Sequence, residues 1–251
     1  MIRYKLGKKD ASPPLGLRFG DVFKSEALPI PPAVFGHELL IAPDAWQMLG
    51  NDSVGDCTLC DAAHQTMLWS IEGSKPATFT APGVIADYSA ISGYNGTEAT
   101  DTGCDMQDVA NYRQKTGVID ANGVRHKIQS FASLKAGDLT QLAQAAYIFG
   151  AVSVGVQLPS SAESQFDAGQ PWSVVPGDTN EGGHCITIVG RNSVGNFLLI
   201  TWGRLQAATP AWLSAYMDEA ICALSIEMLN AKGVSPEAYD LSTLTQYQGE
   251  L

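Results

Sequence analysis

The chain has 251 residues, 45% hydrophobic and 16% charged, which is enough to bury a core without disulfide or metal staples and too apolar for a disordered chain. Its 15 basic against 26 acidic residues give a net charge of −11, which argues against nucleic-acid binding, because phosphate contacts need clustered positive charge. The charge is uneven: residues 1–26 carry six basic and three acidic groups, a net of +3, which leaves −14 on the remainder. This basic stretch reads as an arm that docks on its own acidic body, with an interaction tail for an acidic partner as the sharper alternative.

Residues 1–36 form an extended arm ending in Leu28-Pro29-Ile30-Pro31-Pro32. Proline fixes φ and removes backbone donors, so core structure is not expected there. The arm has basic groups but no apolar run of the kind a secretory signal carries. With five cysteines and no such signal, a disulfide framework is not expected and at least one thiol is free. A turn-rich stretch, 51–56, feeds a first helix in which Leu59, Ala62, Ala63, Met67, Leu68 and Ile71 recur at helical spacing, closed by Gly73. A second helix follows Thr80 with Pro82 in its first turn, and a third runs from Asp105 to Gly117. A fourth opens at Asp138-Leu139-Thr140-Gln141, a capping-box pattern, and ends at Gly150. The uncharged run 139–162 is long enough to span a membrane. Gln141, Gln144, Ser153, Gln157 and Pro159 interrupt it and Gly150 divides it, so it reads as a buried helix followed by a buried strand, and no membrane partner is expected. Runs 151–158, 185–189 and 196–202 read as strands, 210–219 as a short helix, 220–226 as a last strand and 229–251 as a polar tail with one amphipathic turn. Helices followed by strands predict an α+β architecture with two packed lobes.

The sharpest local feature is Gly55-Asp56-Cys57-Thr58 at the head of the first helix. A cysteine there sits in the positive end of the helix dipole, which favours the nucleophilic thiolate. Asp56 opposes this, because a neighbouring negative charge raises a thiol pKa. A thiol nucleophile also needs a histidine. His64 is seven residues along the same helix, about 10 Å at ~1.5 Å per residue, and so out of reach of Cys57. His184 follows Gly182-Gly183 and opens a strand, where the glycines permit close approach. Cys57-x-x-Cys60 with His64, completed by Cys104 or Cys185, is a weak zinc pattern because it lacks a second tight ligand pair. Cys60, Cys185 and Cys222 read better as small packing residues, and no metal or cofactor is expected.

Taken together, these segments resemble the papain-like cysteine peptidases, in the right order. Asn51-Asp52-Ser53-Val54-Gly55-Asp56-Cys57 is similar to the family segment from oxyanion-hole glutamine to nucleophile. Gly182-Gly183-His184-Cys185-Ile186-Thr187-Ile188-Val189-Gly190 is similar to the catalytic-histidine strand. Leu198-Leu199-Ile200-Thr201-Trp202-Gly203 is similar to the strand bearing the triad asparagine before Ser-Trp-Gly. Cys57 and His184 are 127 residues apart, just under the family's ~130–150.

The resemblance implies a papain-like domain over 37–228, with a helical lobe, a β-barrel-like lobe and a cleft between them. It implies hydrolysis of peptide or amide bonds, with Cys57 as nucleophile, His184 as general acid/base and Asn51 as oxyanion donor. Ile200 stands at the asparagine position, so Thr201 is expected to orient His184 if a bulge turns it inward. Trp202 would shield that pair from water. The arm is shorter than the family's pro-regions and lacks their helical pattern, which argues against an inhibitory role. The alternative is a catalytically silent papain fold with a structural or assembly role, making contacts through 1–35 and 229–251. The Gly50-Asn51-Asp52 and Gly55-Asp56-Cys57 pattern associates the chain with bacterial and bacteriophage proteins, hence a cytoplasmic or virion-associated location.

Overall fold

The computed structural model describes residues 4–13 and 28–248. A two-residue strand β1 (Phe35–Gly36) precedes helix α1 (Cys57–Glu72). Helices α2 (Ala81–Ser92) and α3 (Met106–Lys115) complete the helical half. Strands β2 (Val118–Ile119) and β3 (Arg125–His126) make a small hairpin, and β4 (Ser130–Leu134) begins the main sheet. There follow α4 (Leu139–Phe149), β5 (Val152–Pro159), α5 (Ala162–Asp167), β6 (Asn180–Arg191), β7 (Phe197–Thr201), β8 (Arg204–Ala208), α6 (Pro210–Tyr216), β9 (Met217–Leu224) and α7 (Leu241–Gln248).

The caps explain the helix starts. Thr80 accepts from the Gly83 amide, Asp105 from Gln107 and Asp108, and Asp138 from Thr140 and Gln141. The capping box at Asp138 is only half made, because the Gln141 side chain turns to the Lys135 amide instead. The run 139–162 is α4 and then β5, both buried, as its polar interruptions predicted. No helix among the described residues is long and apolar enough to cross a membrane.

The sheet is antiparallel in the order β4-β9-β5-β6-β7-β8, with β1 added alongside β6. It differs from the expected barrel-like lobe in staying open. The hydrogen-bonded path ends at β4 and β8, and bulges near Gly155, Leu158 and Ile188 bend the strands without closing them. Strands β4 and β8 were missed in the sequence because neither alternates cleanly. Residues 229–248 are docked rather than free: Leu244 of α7 is fully buried, and Tyr239 packs edge-on to Tyr247.

Helix α1 is buried on every side from Cys57 to Ser70. It therefore carries its polar groups into the core, and most of these find partners, although the Thr58 hydroxyl has none. His64 Nε2 meets the Trp46 carbonyl at 2.9 Å, and burial pushes its pKa down to about 4. Asp61 is the deepest of the set. Ser153 on β5 and Thr187 on β6 donate hydroxyls to its two oxygens at 2.5 and 2.6 Å, and Gln65 donates its amide at 3.0 Å. Arg113 of α3 completes the network by donating to Gln65 at 3.1 Å. Asp61→Ala should leave these donors unpaired in the core and cost on the order of 3 kcal/mol or more, read as a lower urea midpoint.

A second clamp joins three segments. His37 Nδ1 meets the buried Glu72 of α1 at 2.9 Å, and its Nε2 lies 3.3 Å from Glu237. The hydrogen bond to Glu72 raises the His37 pKa against the effect of burial, and burial raises that of Glu237 to about 7. A carboxyl that holds its proton more tightly when folded favours the folded state at low pH. That advantage is lost as the pH rises from its ordinary value near 4.5 through about 7. The raised histidine acts in the same sense: its stabilisation is complete below pH ~6.5 and is lost as the pH climbs through its folded pKa. Glu237→Gln should therefore flatten the fall in Tm between about pH 5 and 7 relative to the parent chain, as measured by calorimetry in matched buffers.

Candidate active site

Cys57 is the first residue of α1. The preceding Asp56 does not cap the helix with its side chain. Its Oδ1 accepts the Cys60 thiol at 3.4 Å, and its Oδ2 is buried without a partner. Burial raises the Asp56 pKa to about 8, so near neutral pH the group is mainly protonated. The expected tug of a charged Asp56 on the thiol is therefore a lesser effect. Burial itself comes first in pushing Cys57 up to about 12, and backbone hydrogen bonds from Cys185 and Gly7 only partly offset it. In this closed state Cys57 is a thiol, not the thiolate that its place in the helix dipole suggested.

His184 lies on β6 and is buried. Its Nε2 pairs with Thr201 Oγ1 at 2.8 Å, and the Trp202 indole stacks on its ring at 4.9 Å. Strand parity explains the partner. Ile200 sits opposite Thr187 in the ladder, on the face toward α1, and the next residue, Thr201, turns to the face that carries His184. The chain then enters a left-handed turn at Trp202 (φ 45°) and Gly203 (φ 71°). A Cβ on Gly203 would stand 2.6 Å from the Gln47 carbonyl carbon, so the turn that aims Trp202 needs glycine there. Burial pushes the His184 pKa down to about 3. Its Nδ1 is buried with no hydrogen-bond partner, so ring and thiol are not hydrogen-bonded. Cys57 packs instead among Met106, Ala110, Cys185 and Ile221.

What lies along this site is the chain's own arm. Lys5 N donates to the Asn51 carbonyl at 3.0 Å, and Asn51 Nδ2 donates back to the Lys5 carbonyl at 3.2 Å. Gly7 runs past Cys57, its carbonyl accepting from Cys104 N at 2.8 Å. Lys8 N donates to the Gly183 carbonyl at 3.1 Å and Lys9 N to that of Cys104 at 3.0 Å. Tyr4 stacks on Trp202 at 4.5 Å, on an indole that also covers His184. Glycines make the passage. A Cβ on Gly7 would stand 1.7 Å from the Gly55 oxygen, one on Gly103 2.1 Å from the Gly7 oxygen and one on Gly183 2.2 Å from the Lys8 oxygen. The four residues singled out in the sequence fall into two pairs. Asn51 and Cys57 touch the arm directly, and His184 and Thr201 lie behind Trp202.

The sequence reading did not anticipate that residues 4–9 lie against Asn51 and Cys57. The signals were the three glycines and the basic arm on an acidic chain, which docks on its own body as expected. Residues 14–27 of the expected arm lie outside the described residues. The candidate zinc ligands make separate contacts: Cys60 faces Asp56 and His64 faces the Trp46 carbonyl, and none of the five cysteines forms a disulfide.

A buried thiol held as the protonated form alkylates slowly. Lys8→Ala, which removes the arm's buried charge, should speed iodoacetamide labelling of Cys57 by about tenfold for each unit by which the thiol pKa falls. Peptide mapping of the labelled chain checks this, and unchanged labelling would show that the arm does not control access.

No family model matches the chain, and no curated protein matches it. Solved structures do match. The chain is similar to xylellain, a cysteine protease from Xylella fastidiosa, with a TM-score of 0.64 over 90% of this chain and 99% of that one, at 15% identity. Digestive procathepsin L 3 of Tenebrio molitor larval midgut matches with a TM-score of 0.61 over 86% and 75% of the two chains, at 12% identity. A cysteine protease of Carica candamarcensis matches with 0.56 over 77% and 99%, also at 12% identity. Identities this low establish architecture rather than activity, and the architecture is the papain-like cysteine protease fold.

Proposed function

We propose that this chain is a thiol-dependent peptidase whose cleft is closed by its own residues 4–9. The observation that carries this reading is the occupant itself. An extended peptide lies in the groove beside Cys57, held through its main chain by Asn51, Cys104 and Gly183. A groove that pairs with backbone amides and carbonyls fits peptide or protein substrates.

With the arm displaced, water reaches the site and the burial that holds the thiol and imidazole neutral is relieved. His184 Nδ1 then takes the Cys57 proton, and the sulfur attacks the peptide carbonyl carbon. The oxyanion that forms is met by Asn51 Nδ2, which already holds a peptide carbonyl, and by the Cys57 backbone N–H. The imidazolium, oriented by Thr201, returns its proton to the leaving amine. Water then cleaves the thioester to release the acid and restore the thiol. The arm's role is thus inhibitory, against the expectation drawn from its length.

A second reading, a silent papain fold kept for structure or assembly, is favoured by the missing thiol–imidazole hydrogen bond and by a cleft already filled. Activity separates the two. The full chain carrying Gly7→Ala, in which the new methyl meets Gly55, should hydrolyse a peptide library. Adding Cys57→Ala or His184→Ala should lower the rate by about 10²-fold or more. Thr201→Val should lower kcat with little change in KM, because it disturbs orientation and not binding. A thiol-directed epoxide should map to Cys57. No turnover and no labelling once the arm is loosened would establish the silent reading.

A further inference from the structure

Among the described arm residues, Lys8 is the one whose side chain is wholly enclosed while carrying a charge. Its Nζ lies 2.9 Å from Asp218 Oδ2, 3.2 Å from Glu219 Oε1 and 2.9 Å from the Lys9 carbonyl. Two of the ammonium's donors are hydrogen-bonded, to Asp218 Oδ2 and to the Lys9 carbonyl, while Glu219 Oε1 stands at ion-pair distance without a hydrogen bond. Burial opposes the charge, but Glu219 and Asp218 outweigh it and hold the Lys8 pKa above its ordinary value. The pocket around the ammonium is constructed on the sheet. Gln157 of β5 donates to Asp218 at 2.7 Å and is itself held by Asn180 at 2.9 Å. Gly155 forms the wall beside the aliphatic stem, where a Cβ would stand 2.1 Å from Lys8 Cε. Asp218 Oδ1 is buried with no hydrogen-bond partner.

Two features make this pocket part of the groove and not merely an anchor for one segment. The main chain of Lys8 pairs with Gly183, the residue before His184, and its neighbour Gly7 lies beside the Cys57 thiol. The ammonium's other hydrogen-bond acceptor, besides Asp218, is the carbonyl of the residue that follows the lysine, so it travels with any peptide carrying a lysine in that place. The lysine, its stem and its carbonyl partner form a unit that a peptide from elsewhere supplies equally well.

We propose that Asp218, Glu219 and Gln157, walled by Gly155, select a lysine side chain in the peptides this cleft receives. The inference rests on the peptidase reading for its biological meaning, but the pocket is testable by binding alone. The probe is a fluorescent peptide with the sequence of residues 4–9, compared with one in which norleucine replaces the lysine equivalent to Lys8. Norleucine keeps the stem and loses the charge. The protein is the full chain carrying Gly7→Ala, to unseat the arm, and Cys57→Ala, to prevent turnover. Should that chain not fold, Lys8→Glu takes the place of Gly7→Ala, since a third carboxylate in the pocket repels the arm.

The lysine peptide should bind roughly tenfold tighter or more, as a desolvated charge pair demands. That ratio should collapse toward one when Asp218→Asn and Glu219→Gln are added. Equal affinity for both peptides, or binding of neither, overturns the proposal. The peptidase reading fails separately: with Cys57 restored, a lysine preference in binding without hydrolysis of either peptide sinks that reading and leaves the pocket standing.

Discussion

The carboxyl group of Asp61 couples the two halves of the cleft. It lies one turn beyond Cys57 on α1, and it takes hydroxyls from Ser153 on β5 and from Thr187, three residues beyond His184 on β6. Sliding the helix against the sheet would break bonds of 2.5 and 2.6 Å inside a core that offers no replacement partners. The distance between the helix head and the histidine strand is therefore fixed by a buried polar contact, on which the spacing of the candidate residues depends. Apolar packing around α1 supplies most of the burial, but it is non-directional and would tolerate a slip.

On that fixed frame the groove is narrow enough for only one kind of guest. Where residues 6–8 cross it, the walls are Gly55, Gly103, Gly155, Gly182 and Gly183, each of which would press a Cβ against the arm. Side chains are missing where a backbone has to pass and present where a side chain has to be held: Trp202 under Tyr4, and Asp218 and Glu219 around Lys8. The arm contributes the complement, with glycine at its tightest point and a lysine at the acidic pocket.

The same arrangement sets the chemistry to rest. Burial pushes the Cys57 thiol up to about 12, the His184 imidazole down to about 3 and the Asp56 carboxyl up to about 8, so each is mainly uncharged near neutral pH. A helix dipole contributes of order 0.3–1 kcal/mol to a nearby charge, too little to overcome the burial of a thiolate. Among the described residues, Lys8 keeps its charge deep in the groove, because Asp218 and Glu219 meet it there. The arm lies where it shields Cys57 from water, as residues 4–9 run along the helix head and the histidine strand.

Local chemistry determined much of this protein. Asp105 and Asp138 start helices by capping them, Thr80 does so through its hydroxyl, and Gly73 and Gly150 close α1 and α4, because a cap needs only the residues beside it. The same short-range logic placed Cys57 at a helix head and His184 after two glycines on a strand. Tertiary structure decided the rest. Strand parity, set by pairing with β6, brought Thr201 and not Ile200 to the imidazole. The seat of the arm depends on glycines up to 176 positions from Gly7. The ionisation of Cys57 follows from burial, which no short window of sequence contains. Hydrogen bonds along the chain are encoded by neighbours, whereas desolvation and cross-strand partners arise only when distant segments exclude water together.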